Sequence, residues 1–150
     1  MTTFTPTRTN LVLSSSAPTV LLAGPGVLFA TNIRSLPLIS VEATTSTNED
    51  WRDGFAFFED EAGTIPILLD GIDFEMEVRH LATDATVVLR GTSADGSLVV
   101  NFNALVLNFT VDRMKLIPPL DYVFDIVMRA EDRTRVLARG NLTVTLGVTR

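Results

Sequence analysis

The stretch "NEDWRDGFAFFEDEAGT", residues 48–64, gathers Glu49, Asp50, Asp53, Glu59, Asp60 and Glu61 around the chain's single tryptophan, Trp51. Carboxylates this close together could hold a hard cation or work as an acid and base pair. A calcium loop, however, needs oxygens at alternating positions, a glycine at the sharp turn and a closing Glu, and no D-x-D-x-D-G spacing occurs here. Phe55, Ala56, Phe57 and Phe58 read instead as a strand separating two acidic groups, which makes the acids solvated turn residues. Trp51 reads as a cap on a core; the other use of such a ring is a sugar-stacking platform.

The remaining candidates are sparse. His80 is the only histidine and there is no cysteine, so one chain cannot build a multi-imidazole or thiolate metal centre, and no metal or cofactor is expected. No G-x-S-x-G accompanies His80, which reads as a strand-end residue. Glu75 and Glu77 fall on the same side of one strand, the pattern of a wet sheet face rather than of a glycosidase acid pair. "AGPG" (23–26) is a turn and not a phosphate loop, because no Lys-Ser/Thr follows it. Asp125 stands out, an acid inside the apolar run "YVFDIVM". It reads either as a carboxylate bonded to a neighbouring strand or Arg, or as half of an intersubunit salt bridge.

The formal charge of −6 argues against nucleic acid or an anionic lipid surface as partner. The apolar run "VLLAGPGVLFA" (20–30) is shorter than the ~20 residues a membrane span needs and is broken by Gly24-Pro25-Gly26, so no membrane insertion is expected. With only Arg8 upstream, it also fits a secretion signal poorly.

The elements that would carry these residues are strands. In "IDFEMEVRHL" (72–81), Ile72, Phe74, Met76 and Val78 alternate with Asp73, Glu75, Glu77 and Arg79, one dry face and one wet. "DYVFDIVMRA" (121–130) alternates likewise, and "GNLTVTLGVT" (140–149) places Leu142, Val144, Leu146 and Val148 on one side. In "GSLVVNFNALVLNFT" (96–110) the phase slips at Asn103-Ala104, the mark of a bulge, a bend or a turn between two strands. Turn signals stand at "DEAG", "LDG", "ADG" and "EDR", and one short helix fits within 110–117 before Pro118-Pro119. The predicted fold is all-β, an antiparallel β-sandwich of about seven strands, Ig-like or jelly-roll-like.

Residues 1–45 differ: rich in Thr, Ser and Pro, with no acid before Glu42 and no sustained period. They read as an extended assembly arm ahead of a sandwich at 46–150, ordered by docking on a neighbouring subunit. Its apolar bursts, with Leu21, Leu22, Val27, Leu28 and Phe29, are the candidate interface residues, joined by Asp125.

Taken in order, "NEDW", "FAFF", "DEAGTIPILLDG", "FEMEVR", "ADGSLVVNF", "FTVDRMKLIPP", "LDYVFDIVM" and "RVLARGNLTVTLGVTR" resemble a group of small phage and prophage virion proteins, including the N-terminal sandwich of siphophage baseplate upper proteins. Phe74, Met76 and Arg79 stand where that group has "f.m.vR", Tyr122 and Asp125 where it has "YvyD", and Gly140 with Val148-Thr149-Arg150 where its last strand lies. The long N-terminal segment and Pro118-Pro119 depart from the pattern. The resemblance implies a non-enzymatic structural subunit of a tail, baseplate or fibre-attachment layer. Such a subunit would be assembled in the host cytoplasm, forming homo-oligomers and contacting other virion structural proteins. The competing readings are a carbohydrate- or receptor-binding module using Trp51, and a hydrolase using two carboxylates.

Overall fold

The computed structural model describes residues 11–13, 19–21, 26–29, 38–59, 64–130 and 133–148. In chain order these form β1 (Leu11–Leu13), β2 (Thr19–Leu21), β3 (Gly26–Phe29), β4 (Ile39–Ser46), β5 (Gly54–Phe58), β6 (Ile72–Arg79), β7 (Leu89–Thr92), β8 (Leu98–Asn101), β9 (Ala104–Leu107), the one-turn helix α1 (Val111–Met114), β10 (Asp121–Ala130) and β11 (Arg133–Thr145). One sheet has the order β1-β3-β5-β9-β8 and the other β2-β4-β11-β10-β6-β7.

Alternation decides which face is dry. In β10, Tyr122, Phe124, Ile126 and Met128 are buried, and in β6 so are Phe74, Met76 and Val78, because a strand turns successive side chains to opposite faces. These residues meet Phe55, Phe57, Leu105 and Leu107 of the opposite sheet in one core. Without the three N-terminal strands, β5-β9-β8 packs on β4-β11-β10-β6-β7, the order of an immunoglobulin-type sandwich with its first strand set parallel to its last. Tyr122, at the start of β10, donates its hydroxyl to the Pro118 carbonyl at 2.6 Å, the tyrosine corner of that fold. Antibody domains carry a disulfide cysteine two residues further on; here that position is Phe124, whose ring meets Trp51 edge-on at 6.0 Å.

The turns behave as their residues require. Gly71 and Gly96 take positive φ, 76° and 80°, a region open to glycine without steric cost. The phase slip at 103–104 is a tight turn between β8 and β9, and it forces Phe102 to a φ of 58° with its ring exposed. The strand expected over 140–149 instead spans Arg133–Thr145, so Leu146 and Val148 lie beyond its end, 67% and 92% exposed. A bulge lets Leu137 and Ala138 both turn inward, since the register with β10 shifts between Ile126 and Val127.

The N-terminal boundary also moves. The sandwich begins at Ile39 rather than residue 46, because Ile39, Val41 and Ala43 supply one dry face of β4, which runs parallel to β11. "ISVEATTS" hides this behind Ser and Thr, which do alternate but carry little hydrophobic signal. Further upstream, β2 lies parallel on β4, and β3 lies parallel on β5 with β1 outside it, so these segments extend both sheets of their own chain. Leu21, Val27, Leu28 and Phe29 fall on these ladders; Leu22 lies outside the described residues.

At Gly140, β11 passes close to β4. A Cβ there would run into the Val41 carbonyl oxygen and stand 2.8 Å from the Phe124 ring and 2.9 Å from the Val41 Cβ. Gly140→Ala should therefore force the parallel pair apart and lower the free energy of unfolding by about 1–3 kcal/mol, measured by urea titration. An unchanged midpoint would mean that β4 yields freely at this point.

Candidate functional site

Two places in the fold gather groups capable of chemistry or recognition. The first is the entry to β5. Trp51 pairs with Phe109 as an isolated antiparallel bridge, its N–H donating to the Phe109 carbonyl at 2.8 Å and its carbonyl accepting the return bond at 3.1 Å. Its ring stacks on Phe109, centroids 5.5 Å apart, and is fully buried. A ring with no exposed face offers nothing to a sugar, which removes Trp51 as a stacking platform. In an extended chain, residue i+2 shares the face of residue i, so Asp53 follows Trp51 inward and accepts its indole N–H at 2.6 Å.

Asp53 is thus a correction to the solvated-turn reading: it is only 2% exposed, and its other oxygen, Oδ1, has no hydrogen-bond partner among the described residues. Burial pushes its carboxyl up to about 7, opposed by the indole N–H and reinforced by the charge of Glu49. Burial also raises Glu49. Asp50 serves the helix instead, where its Oδ1 accepts the Val111 N–H at 2.7 Å and caps α1, whose own Thr110 side chain makes no capping bond. Asp60 and Glu61 lie outside the described residues. Among the described residues no group of three or more His, Cys, Asp or Glu is placed to hold a metal ion. His80 is exposed at the end of β6, with Nδ1 3.3 Å from the Asp121 carbonyl.

The second place is the outer, wet face of the five strands β4-β11-β10-β6-β7. The pairings set Ser40, Arg139, Asp125 and Glu77 in one row across four strands, and Glu42, Asn141, Val123 and Arg79 in the next. Over these rows the sheet carries a hollow of about 600 Å³ whose lining includes Val123, Asp125, Arg139 and Ala82. Most charges here have partners: Arg79 bonds Glu77 at 2.5 Å, Asn141 donates to Glu42 at 2.7 Å, and Glu75 holds Arg90 at 2.9 Å and Arg129 at 2.8 Å. The Arg129 bond leads the effects that hold Glu75 below its ordinary value.

Asp125 and Arg139 are the exceptions. They face each other as register partners, yet among the described residues neither makes a hydrogen bond or ion pair. Burial pushes the Asp125 carboxyl above its ordinary value; Arg139 opposes this and Glu77 adds to it. Sequence reading found Asp125 because an acid interrupts an apolar run. It missed Arg139, which sits among other polar residues and becomes significant only through pairing between β10 and β11.

No family model matches the chain, and no curated protein does. Eighteen chains of solved structures match it. Among them is murine CRIg, at 15% identity and a TM-score of 0.29, covering 72% of this chain and 92% of that one. The immunoglobulin-type assignment rests on the strand order and the Tyr122 corner.

A raised folded-state value has a definite sign. Folded Asp53 holds its proton more tightly than the unfolded chain, whose carboxyl sits near 3.8, so the linked stability is complete below about pH 4 and is lost as pH rises through about 7. The full swing is up to about 4 kcal/mol, at ~1.4 kcal/mol per unit. Asp53→Asn removes it, so the variant should gain on wild type by up to that amount between pH 4 and pH 8 in paired denaturant titrations. Parallel curves would show that Asp53 ionises without strain.

Proposed function

We propose that the chain is a structural subunit of a phage virion, in a tail, baseplate or fibre-attachment layer. It has no enzymatic role and docks neighbouring subunits through its N-terminal arm. The observation that carries this reading is the pairing of β2 and β3 as parallel strands on β4 and β5. Those two strands are two of the four edges of the sandwich, the others being β7 and β8, and an unpaired edge is a template for any chain that can lie along it. An arm that forms three- and four-residue ladders on its own sandwich carries the backbone pattern needed to form them on a neighbour's.

The resemblance of residues 48–150 to virion sandwich proteins points the same way, as does the balance of the site chemistry. Asp53 is 2% exposed, and the outer sheet face is built largely of charge pairs. A carbohydrate-binding role loses the aromatic platform it depended on, since Trp51 is inside.

The truncation that tests the arm must stop before Leu38, because a longer cut removes core residues of β4. Deleting residues 1–37 should leave a cooperatively melting sandwich that fails to enter particles when co-expressed with the other virion proteins. Val20→Pro with Val27→Pro, which removes one backbone donor from each of β2 and β3, should do the same in the full-length chain. Undiminished incorporation of both variants would overturn the arm's role.

A further inference from the structure

The outer face of the five-stranded sheet has the properties of a self-complementary contact. The chain as a whole is acidic, at −6, and on this face Glu42, Asp73, Glu75, Glu77, Asp121 and Asp125 are interleaved with Arg79, Arg90, Arg129 and Arg139, so most of the acids have an arginine on the same or a neighbouring strand. Charges of both signs interleaved in rows let a second copy set arginines against acids here, which favours one register of contact over others. Along the central strand Val123, Asp125 and Val127 all point outward and all are half-buried, an apolar stripe interrupted by one acid and framed by arginine-rich ion pairs. An apolar centre with a polar rim rich in Arg is the composition of protein interfaces. Five strands about 4.8 Å apart, with about eight residues each at about 3.3 Å, give a face of roughly 600 Å², close to the ~800 Å² that each partner of a standard interface buries.

The occupant follows from the two charges left over. Asp125 and Arg139 both line the hollow, one half-buried and the other exposed one strand away, each without a hydrogen bond or close ion pair among the described residues. In a contact between identical copies, if residue i touches j then j touches i. A two-fold axis lying between the two packed faces, along the gap between β10 and β11, carries β10 of one copy over β11 of the other. It brings each Arg139 above the other copy's Asp125. No second species is needed to supply the missing charges.

We infer that a second copy of this chain docks on the outer face of β4-β11-β10-β6-β7 about this axis, each Arg139 entering the other's hollow to pair with Asp125. This gives the homo-oligomer of the virion reading a contact face separate from the arm, and rests on that reading for its setting. Asp125, which feels Arg139 and Arg79 of its own chain but bonds neither, gains a hydrogen-bonded cation, and the guanidinium gains a planar acceptor with which to form a two-point bond.

Charge reversal in the full-length chain tests this. Wild type should sediment at a multiple of the chain mass; Asp125→Arg and Arg139→Asp, each setting like charges face to face, should halve that mass while melting as folded proteins. The double variant Asp125→Arg with Arg139→Asp should restore it, since reversing both members recreates both pairs across the axis. Should a single reversal fail to fold, Ser40→Arg, at an exposed position lining the same hollow, should halve the mass by filling it. Wild-type mass retained by the single reversals and by Ser40→Arg overturns the contact, as does a monomeric wild type. Particle incorporation is read separately, so an incorporated monomer would sink this inference and leave the virion reading standing.

Discussion

The fold depends on fastening two sheets together without a covalent bond. There is no cysteine, and the place where antibody domains hold a disulfide is taken by Phe124. Trp51 supplies a tie: between β4 and β5 it is bridged by two backbone hydrogen bonds to Phe109, just beyond the end of β9, and its ring meets Phe124 of β10 edge-on, so one residue links the end of one sheet to the face of the other. Aromatic contacts of this kind add about 0.5–1.5 kcal/mol each beyond the area they bury. That is less than the ~2–4 kcal/mol typical of a disulfide, and the remainder has to come from core area.

Using Trp51 this way has a local cost at Asp53. A buried indole N–H needs an acceptor, and the residue sharing its face two positions on provides one, but a carboxylate has more acceptor capacity than one donor can satisfy. The outcome is a carboxyl that titrates near neutrality beneath the sheet junction. The acids that look alike in sequence therefore divide by position. Asp50 caps a helix, Asp53 answers an indole, and Glu75 and Glu77 are tied to arginines on the outer face.

Packing also determines what is left for recognition. With one face of β10 committed to the core, its other face must meet water or a partner, and it carries Asp125 between two valines. With β4 and β5 as two of the sandwich's edges, strand addition is the natural way to cover them, and the N-terminal strands do so in this chain. Edge and face are separate surfaces, so an assembly built on both can propagate in two directions.

The sequence by itself determined the strands with clean alternation, β6 and β10, the short helix ahead of Pro118-Pro119, and the two-sheet architecture; it marked a break at 103–104 that the structure resolves as the turn between β8 and β9. A period of two with large apolar residues leaves few other ways to bury them. It determined that Asp125 is unusual, because an acid within an apolar run is visible in one dimension. It did not show that the sandwich starts at Ile39, since Ser and Thr blur the pattern of β4 and its place is decided by the parallel ladder with β11, about a hundred residues away in sequence. Nor did it separate Asp53 from the acids around it, because burial depends on what packs over a residue. Only the tertiary structure set Arg139 opposite Asp125 and left both unbonded, for register between strands belongs to the fold, and neither residue carries it alone.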